Sequence, residues 1–146
     1  VKDRTFFFTN IERKQLDQTG VTSITPGNAA AINARLAQVG YQGAPVATGI
    51  YPNPVHTLNV LGKVDHQVSG ADQLSVRYAA YRVASSNARG AGVLNAPSGS
   101  TGVENTDQSV AIGNVWSLSQ NTVNETRAQV SHGDLEAYST DQVGPQ

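Results

Sequence analysis

The chain has 146 residues and a formal net charge of −1, so its length fits one domain. Its Lys and Arg residues are scattered singly, and this pattern predicts no nucleic-acid partner. Hydrophobic residues make up 38% and charged residues 14% of the sequence, and both shares are low for a globular domain. Cysteine is absent, which excludes disulfides and thiolate metal sites. No apolar run reaches the roughly 18 residues that a transmembrane helix needs.

The first predicted element is a strand over residues 5–12, which has the strongest β-propensity of the chain. Phe6, Phe7 and Phe8 are consecutive, so their rings fall on both faces of this strand. Two interpretations stay open at this point. The rings either are buried on both sides in a sandwich or form part of an aromatic girdle at a membrane interface.

A long polar loop is predicted over residues 13–54, with one short helix near 25–39 inside it. Thr25 fits the N-cap and Pro26 fits the first helical position. Gly40 is a natural stop at the other end of the helix. The rest of the loop, rich in Gly and Pro, is predicted to be irregular.

A hairpin follows, with strands over 58–68 and 74–80 and a turn at 69–72. Apolar and polar residues alternate in both strands, and successive strand side chains point to opposite faces. The hairpin therefore has one apolar face and one polar face. The apolar positions are Leu58, Val60, Val64, Val68, Leu74, Val76, Tyr78 and Ala80.

The second half of the chain repeats this pattern of a long loop followed by two strands joined by a tight turn. A loop over 84–106, dominated by Ser, Gly, Asn and Ala, precedes a strand over 107–119. A tight turn at 120–122 leads to the last clear strand, over 123–132. The tail through Gly144 and Pro145 is predicted to begin another loop.

These elements predict an all-β fold, an antiparallel up-and-down meander of about five strands with one short loop helix. Tight turns at one end, long loops at the other and strands long enough to cross a bilayer are the sequence signature of an outer-membrane β-barrel. The smallest closed barrels use about eight strands, so five strands predict a partial wall. Residues 1–146 are therefore interpreted as a single β-rich segment of a larger barrel.

Several segments resemble one family, the TonB-dependent outer-membrane receptors that carry a carboxypeptidase-regulatory-like domain. The matching pieces occur in the family's order and lie around the predicted turns. They are KDRTFFFTNIE at 2–12, KVDHQV at 63–68 with DQL at 72–74 and RY at 77–78, and VWS at 115–117 with TVNETR at 122–127.

The resemblance implies the early part of a barrel of about 22 strands, located in the bacterial outer membrane. It implies uptake of a bulky nutrient of unknown identity, with outer-membrane lipid around the wall. It also implies an energy-coupling protein that acts through the plug and the TonB box, which are not among these residues. No reaction chemistry is expected in this segment.

Polar side chains at alternating strand positions form a candidate lumen-facing cluster. Opposite charges on adjacent strands are expected to pair across the ladder. We assign this cluster a structural role in the wall against the plug, and we expect substrate contact in the long loops. The cluster comprises Lys63, Asp65, Arg77, Glu125 and Arg127.

Asp65 and His66 are the first pair to test for catalysis, but neighbours on a strand point to opposite faces and cannot form a dyad. His56, His66 and His132 lack metal-ligand spacing. These patterns predict no catalytic residue, no cofactor and no metal.

Ser98 and Ser100 lie in the sequence PSGS, which is not the Gly-x-Ser-x-Gly elbow of a hydrolase. We expect a flexible loop there. The sequence therefore contains no motif that supports the remote alternative, a small hydrolase acting through Ser and His.

The main alternative is a soluble β-rich binding or adhesion domain. In that case the apolar strand faces would pack against each other in a sandwich.

Overall fold

The computed structural model describes residues 3–141 and Val143. Lys2 of the family-like segment at 2–12 and the predicted loop at Gly144 and Pro145 lie outside the described residues. Nine elements follow one another in the chain. They are β1 (Thr5–Leu16), β2 (Thr19–Thr22), α1 (Pro26–Gln38), β3 (Gly49–Pro52), β4 (Val55–Ser69), β5 (Asp72–Arg89), a 3-10 helix (Pro97–Gly99), β6 (Thr101–Ser119) and β7 (Thr122–Ser139).

The main sheet has five strands in the order β1-β4-β5-β6-β7, and this confirms the predicted antiparallel meander. The start of β1 lies beside the end of β4, where the Gln67 amide donates to the Arg4 carbonyl at 2.7 Å. The Ser117 amide likewise donates to the Ala71 carbonyl at 2.8 Å. Each strand therefore runs opposite to its neighbour.

Both hairpin turns are closed in the same way. In the β4–β5 turn the Ala71 amide donates to the Ser69 hydroxyl at 3.2 Å. In the β6–β7 turn the Asn121 amide donates to the Ser119 hydroxyl at 3.3 Å. A serine hydroxyl that accepts from the backbone two residues later stabilises a local turn, so each turn is specified by its own residues.

The strands are longer than the sequence predicted. β5 continues to Arg89 and β6 begins at Thr101, so most of the loop expected over 84–106 is strand. The small residues at 84–88, which are Ala, Ser and Asn, have low β-propensity, but the hydrogen-bonded neighbours in the sheet override that weak local preference.

The loop expected over 13–54 is also more ordered than predicted. β1 continues to Leu16, and β2 and β3 form a separate antiparallel ribbon in which Val21 is paired with Ile50. The helix was predicted correctly. Thr25 is its N-cap, with its hydroxyl accepting from the Asn28 amide at 3.3 Å, and Gly40 has a φ of 74°.

The chain divides into two compact units. Unit 1 comprises Val1–Arg13, Thr57–Arg82 and Asn105–Asp134, and unit 2 comprises Lys14–His56, Val83–Glu104 and Leu135–Gln146. None of the described helices is long and apolar enough to cross a membrane.

Unit 1 consists of strand segments with little internal core. The buried apolar side chains among the described residues are Ala29 and Tyr51, and both belong to unit 2. Large apolar side chains of unit 1 are instead exposed, such as Phe7 at 82% and Val130 at 76%. The sandwich alternative required these faces to be covered, and the described residues do not cover them.

Unit 2 contains α1, the β2–β3 ribbon and the ends of the long strands that adjoin the long connections. Asn33 on α1 fixes the following loop through two hydrogen bonds, donating to the Val46 carbonyl at 3.0 Å and accepting from the Val46 amide at 2.8 Å. Val93 lies beside β2, where its carbonyl accepts from the Ser23 amide at 2.7 Å. These connections are held by hydrogen bonds to the backbone, from the Asn33 side chain and from the Ser23 amide.

Candidate functional site

The five residues of the predicted polar cluster lie on one face of unit 1. They occupy alternate positions, with Lys63 and Asp65 on β4, Arg77 on β5, and Glu125 and Arg127 on β7. These residues line two hollows on this face. The first hollow is lined by Lys63, Ser75, Arg77, Ala111, Ile112, Gly113, Arg127, Ala128 and Gln129. The second hollow is lined by Lys63, Asp65, Gln73, Ser75, Gly113, Val115, Glu125 and Arg127.

The ion pairs in this cluster run along the strands. The Lys63 Nζ atom lies 2.9 Å from Asp65 Oδ2. The Arg127 guanidinium contacts Glu125 Oε1 through both Nε, at 2.6 Å, and Nη2. The alternation of charged residues in the sequence predicts pairing across adjacent strands instead. Residues i and i+2 share a face about 7 Å apart along a strand, and long cationic side chains bend across that distance.

Arg77 differs from the other two cations of the cluster. Within the described part of the chain its guanidinium has no ion pair and no hydrogen bond, and the side chain is exposed on the polar face. It lines the first hollow together with Lys63 and Arg127. This hollow therefore holds one cation without a counter-charge.

A third hollow extends the polar face to β1. Asn10 and Glu12 line it together with Asn59 on β4 and Ser109 on β6. Alternation along the strand then places Phe7 and Ile11 on the opposite, apolar face. The three consecutive phenylalanines do not identify the orientation of β1. The alternation of Asn10, Ile11 and Glu12 is the signal that identifies it.

His66 alternates in step with the predicted apolar positions of β4, such as Val64 and Val68. The His66 ring is on this side, where its Nδ1 lies 2.8 Å from the Thr5 hydroxyl of the neighbouring strand. Asp65 is engaged with Lys63 on the polar face. Asp65 and His66 therefore point apart, as the geometry of a strand requires.

Ser100 is not in a flexible loop, contrary to the expectation from the sequence. It is 1% exposed and follows the 3-10 helix that contains Ser98. Its hydroxyl donates to Asn87 Oδ1 at 2.6 Å and lies 2.7 Å from the Thr140 hydroxyl, which itself donates to the Ser86 carbonyl at 3.0 Å. The buried hydroxyl joins three segments of unit 2, which is a structural role.

A second polar contact in unit 2 joins Tyr41 to Asp141. The Tyr41 hydroxyl donates to Asp141 Oδ2. This hydrogen bond lowers the pKa of Asp141, with a further contribution from the Val143 amide, and it raises the pKa of Tyr41. The contact stabilises the ionised carboxylate and the protonated phenol at neutral pH.

Within the described residues no three His, Cys, Asp or Glu side chains lie close enough together to hold a metal ion. The polar face presents guanidinium, ammonium, hydroxyl and amide groups.

An alternating antiparallel meander with one exposed apolar face and one charged face is the architecture of a membrane barrel wall. Residues 52–146 match the family described as an outer membrane beta barrel domain. The chain belongs to this family, and membership locates it in the outer membrane. No curated protein and no solved structure matches the chain.

Proposed function

We propose that the chain is part of the barrel wall of a TonB-dependent receptor that takes up a bulky nutrient across the outer membrane. The observation that carries the proposal is where the family-like segments lie. The segment at 63–78 forms the β4–β5 hairpin, and the segments at 115–117 and 122–127 flank the β6–β7 turn. Residues 5–12 of the first family-like segment form the beginning of β1. The resemblance therefore covers the strand ends around the tight turns, as expected for one continuous wall.

The proposal includes a larger, closed barrel. β1 and β7 each have one neighbour in the five-stranded sheet, so each leaves a row of backbone groups unpaired along one edge. In lipid such an edge costs several kcal/mol per unsatisfied group, so membrane sheets close on themselves. Further strands pairing with β1 and β7 satisfy these groups and complete the wall.

We propose that nutrient contact lies in unit 2, in the long connections at the loop end. In this unit the β2–β3 ribbon exposes the paired side chains of Val21 and Ile50, at 61% and 74%. Leu94, in the next long connection, is 73% exposed. Transport is then non-covalent binding followed by gated passage. The energy-coupling protein acts through other parts of the receptor, and lipid surrounds the apolar face of unit 1.

The experiment uses the full-length protein purified from outer membranes in detergent. Binding of the purified periplasmic domain of the energy-coupling protein is measured by calorimetry, while heat-modified gel mobility reports that the barrel is folded. A complex is expected. A folded barrel that forms no complex would exclude TonB dependence and leave the outer-membrane role in place.

A further inference from the structure

The first hollow on the polar face of unit 1 is lined by three cationic side chains and by no carboxylate among the described residues. Lys63, Arg77 and Arg127 come from β4, β5 and β7. Ser75 and Gln129 add a hydroxyl and an amide to the same wall. All five groups are hydrogen-bond donors, so the hollow has the chemistry of an anion site.

The carboxylates that form ion pairs with Lys63 and Arg127 do not line the first hollow. Asp65 and Glu125 line the second hollow rather than the first. They neutralise Lys63 and Arg127 along the strands, whereas no carboxylate in the described part of the chain forms an ion pair with Arg77. The first hollow therefore has a surplus of about one positive charge, located at a planar guanidinium that fits carboxylate or phosphate in a bidentate manner.

We infer that this hollow is a binding site for a carboxylate or phosphate group, with Arg77 as the principal contact. Gln129 donates a further hydrogen bond, whereas the charges of Lys63 and Arg127 are already neutralised by Asp65 and Glu125. Cationic side chains on a barrel interior select anions by the same electrostatics. The inference rests on the proposed closure of the barrel, which makes the polar face an interior wall.

The anionic group has two sources, a dissolved anion in the lumen or a carboxylate of the protein itself. The first measurement uses inorganic phosphate as the probe, with full-length protein in a phosphate-free detergent, and follows the 31P line width. We expect wild-type protein to bind phosphate and Arg77→Gln to bind it about tenfold more weakly, the loss of one charge-assisted hydrogen bond. Arg77→Lys should retain part of the affinity.

Arg89→Gln is the matched control, because Arg89 is on the same strand but outside the hollow. The second measurement is the melting temperature of each variant. If wild-type protein binds no phosphate and Arg77→Gln lowers the melting temperature more than Arg89→Gln does, the partner is a carboxylate of the protein.

No phosphate binding together with unchanged melting temperatures would overturn the site. Equal phosphate affinity in wild-type protein and Arg77→Gln would also overturn it. Neither measurement requires nutrient or energy coupling, so a failure here is distinct from a failure of the proposed transport function.

Discussion

The ring of Tyr51 on β3 lies over the backbone of Gly20 on β2, its direct partner in the ribbon. A β-carbon at position 20 would overlap the ring itself, so the ribbon accepts only glycine there without moving Tyr51. The same relationship joins Gly102 on β6 to Tyr138 on β7. In both places an aromatic ring covers a strand glycine and replaces the packing that a side chain would have supplied.

The first prediction concerns this covered glycine. Gly20→Ala should destabilise the β2–β3 ribbon by about 1–3 kcal/mol, because the added methyl group displaces a buried ring. Faster amide hydrogen exchange at 19–22 and 49–52 would report the loss. Gly27→Ala is the control, since a β-carbon at position 27 meets nothing within 4 Å. Equal exchange in both variants would contradict the prediction.

The second prediction concerns the buried hydroxyl of Ser100. Ser100→Ala removes the hydrogen bond that its hydroxyl donates to Asn87 and its contact with the Thr140 hydroxyl, at a cost of about 1–3 kcal/mol. Increased proteolysis between 90 and 100 should follow. Ser98→Ala, two residues earlier and only partly buried, should not increase it. A similar cleavage rate for the two variants would show that the hydroxyl is dispensable.

The third prediction distinguishes the two faces of β7 with neighbouring residues. Val130→Arg puts a charge on the apolar face and should cost about 2–4 kcal/mol near the bilayer midplane. Gln129→Arg puts the same charge on the polar face, where Gln129 lines the first hollow, and should cost much less. Urea titration of the full-length protein in liposomes measures both. The assignment of the faces is wrong if Gln129→Arg proves the more costly change.

The fourth prediction is the pH dependence of the Tyr41–Asp141 contact. The pKa of Asp141 is lowered in the folded protein, so its contribution to stability is present above the ordinary carboxyl pKa of about 3.9 and is lost as the pH falls through the lower folded value. The pKa of Tyr41 is raised, so its contribution is present below about pH 10 and is lost as the pH rises through the higher folded value.

The protection of residues 41–46 against hydrogen exchange, taken relative to the intrinsic exchange rate at each pH, should therefore fall at both extremes of pH. Asp141→Asn keeps the size of the side chain and removes its charge. The loss of protection in acid should be smaller in this variant. An identical acid response with and without the carboxylate would exclude the contact as its cause.

Sequence patterning predicted the strands of unit 1 better than it predicted the connections of unit 2. Alternation fixes the faces of Leu58 to Val68 and Leu74 to Ala80, because one face of each strand is apolar and a shift by one residue would reverse it. The helix was also predictable, since Thr25, Pro26 and Gly40 are local signals. The strand segment at 84–89 was not, because its small polar residues are held in the sheet by neighbours distant in sequence.

The candidate site was predictable in its membership but not in its pairing. The alternation of side chains along each strand places Lys63, Asp65 and Arg77 on one face. It does not determine which carboxylate forms an ion pair with which cation. Side-chain length and direction decide that, and they leave Arg77 unpaired within the described residues.

The serine-closed turns have a consequence for the order of folding. Ser69 and Ser119 each specify their own turn, so the β4–β5 and β6–β7 hairpins form from contacts close together in sequence, on a timescale of about microseconds. Pairing of β1 with β4 must instead close the segment that contains α1 and the β2–β3 ribbon, which costs loop entropy before any contact is made. We therefore expect β1 to join the sheet last, after the two hairpins are in place.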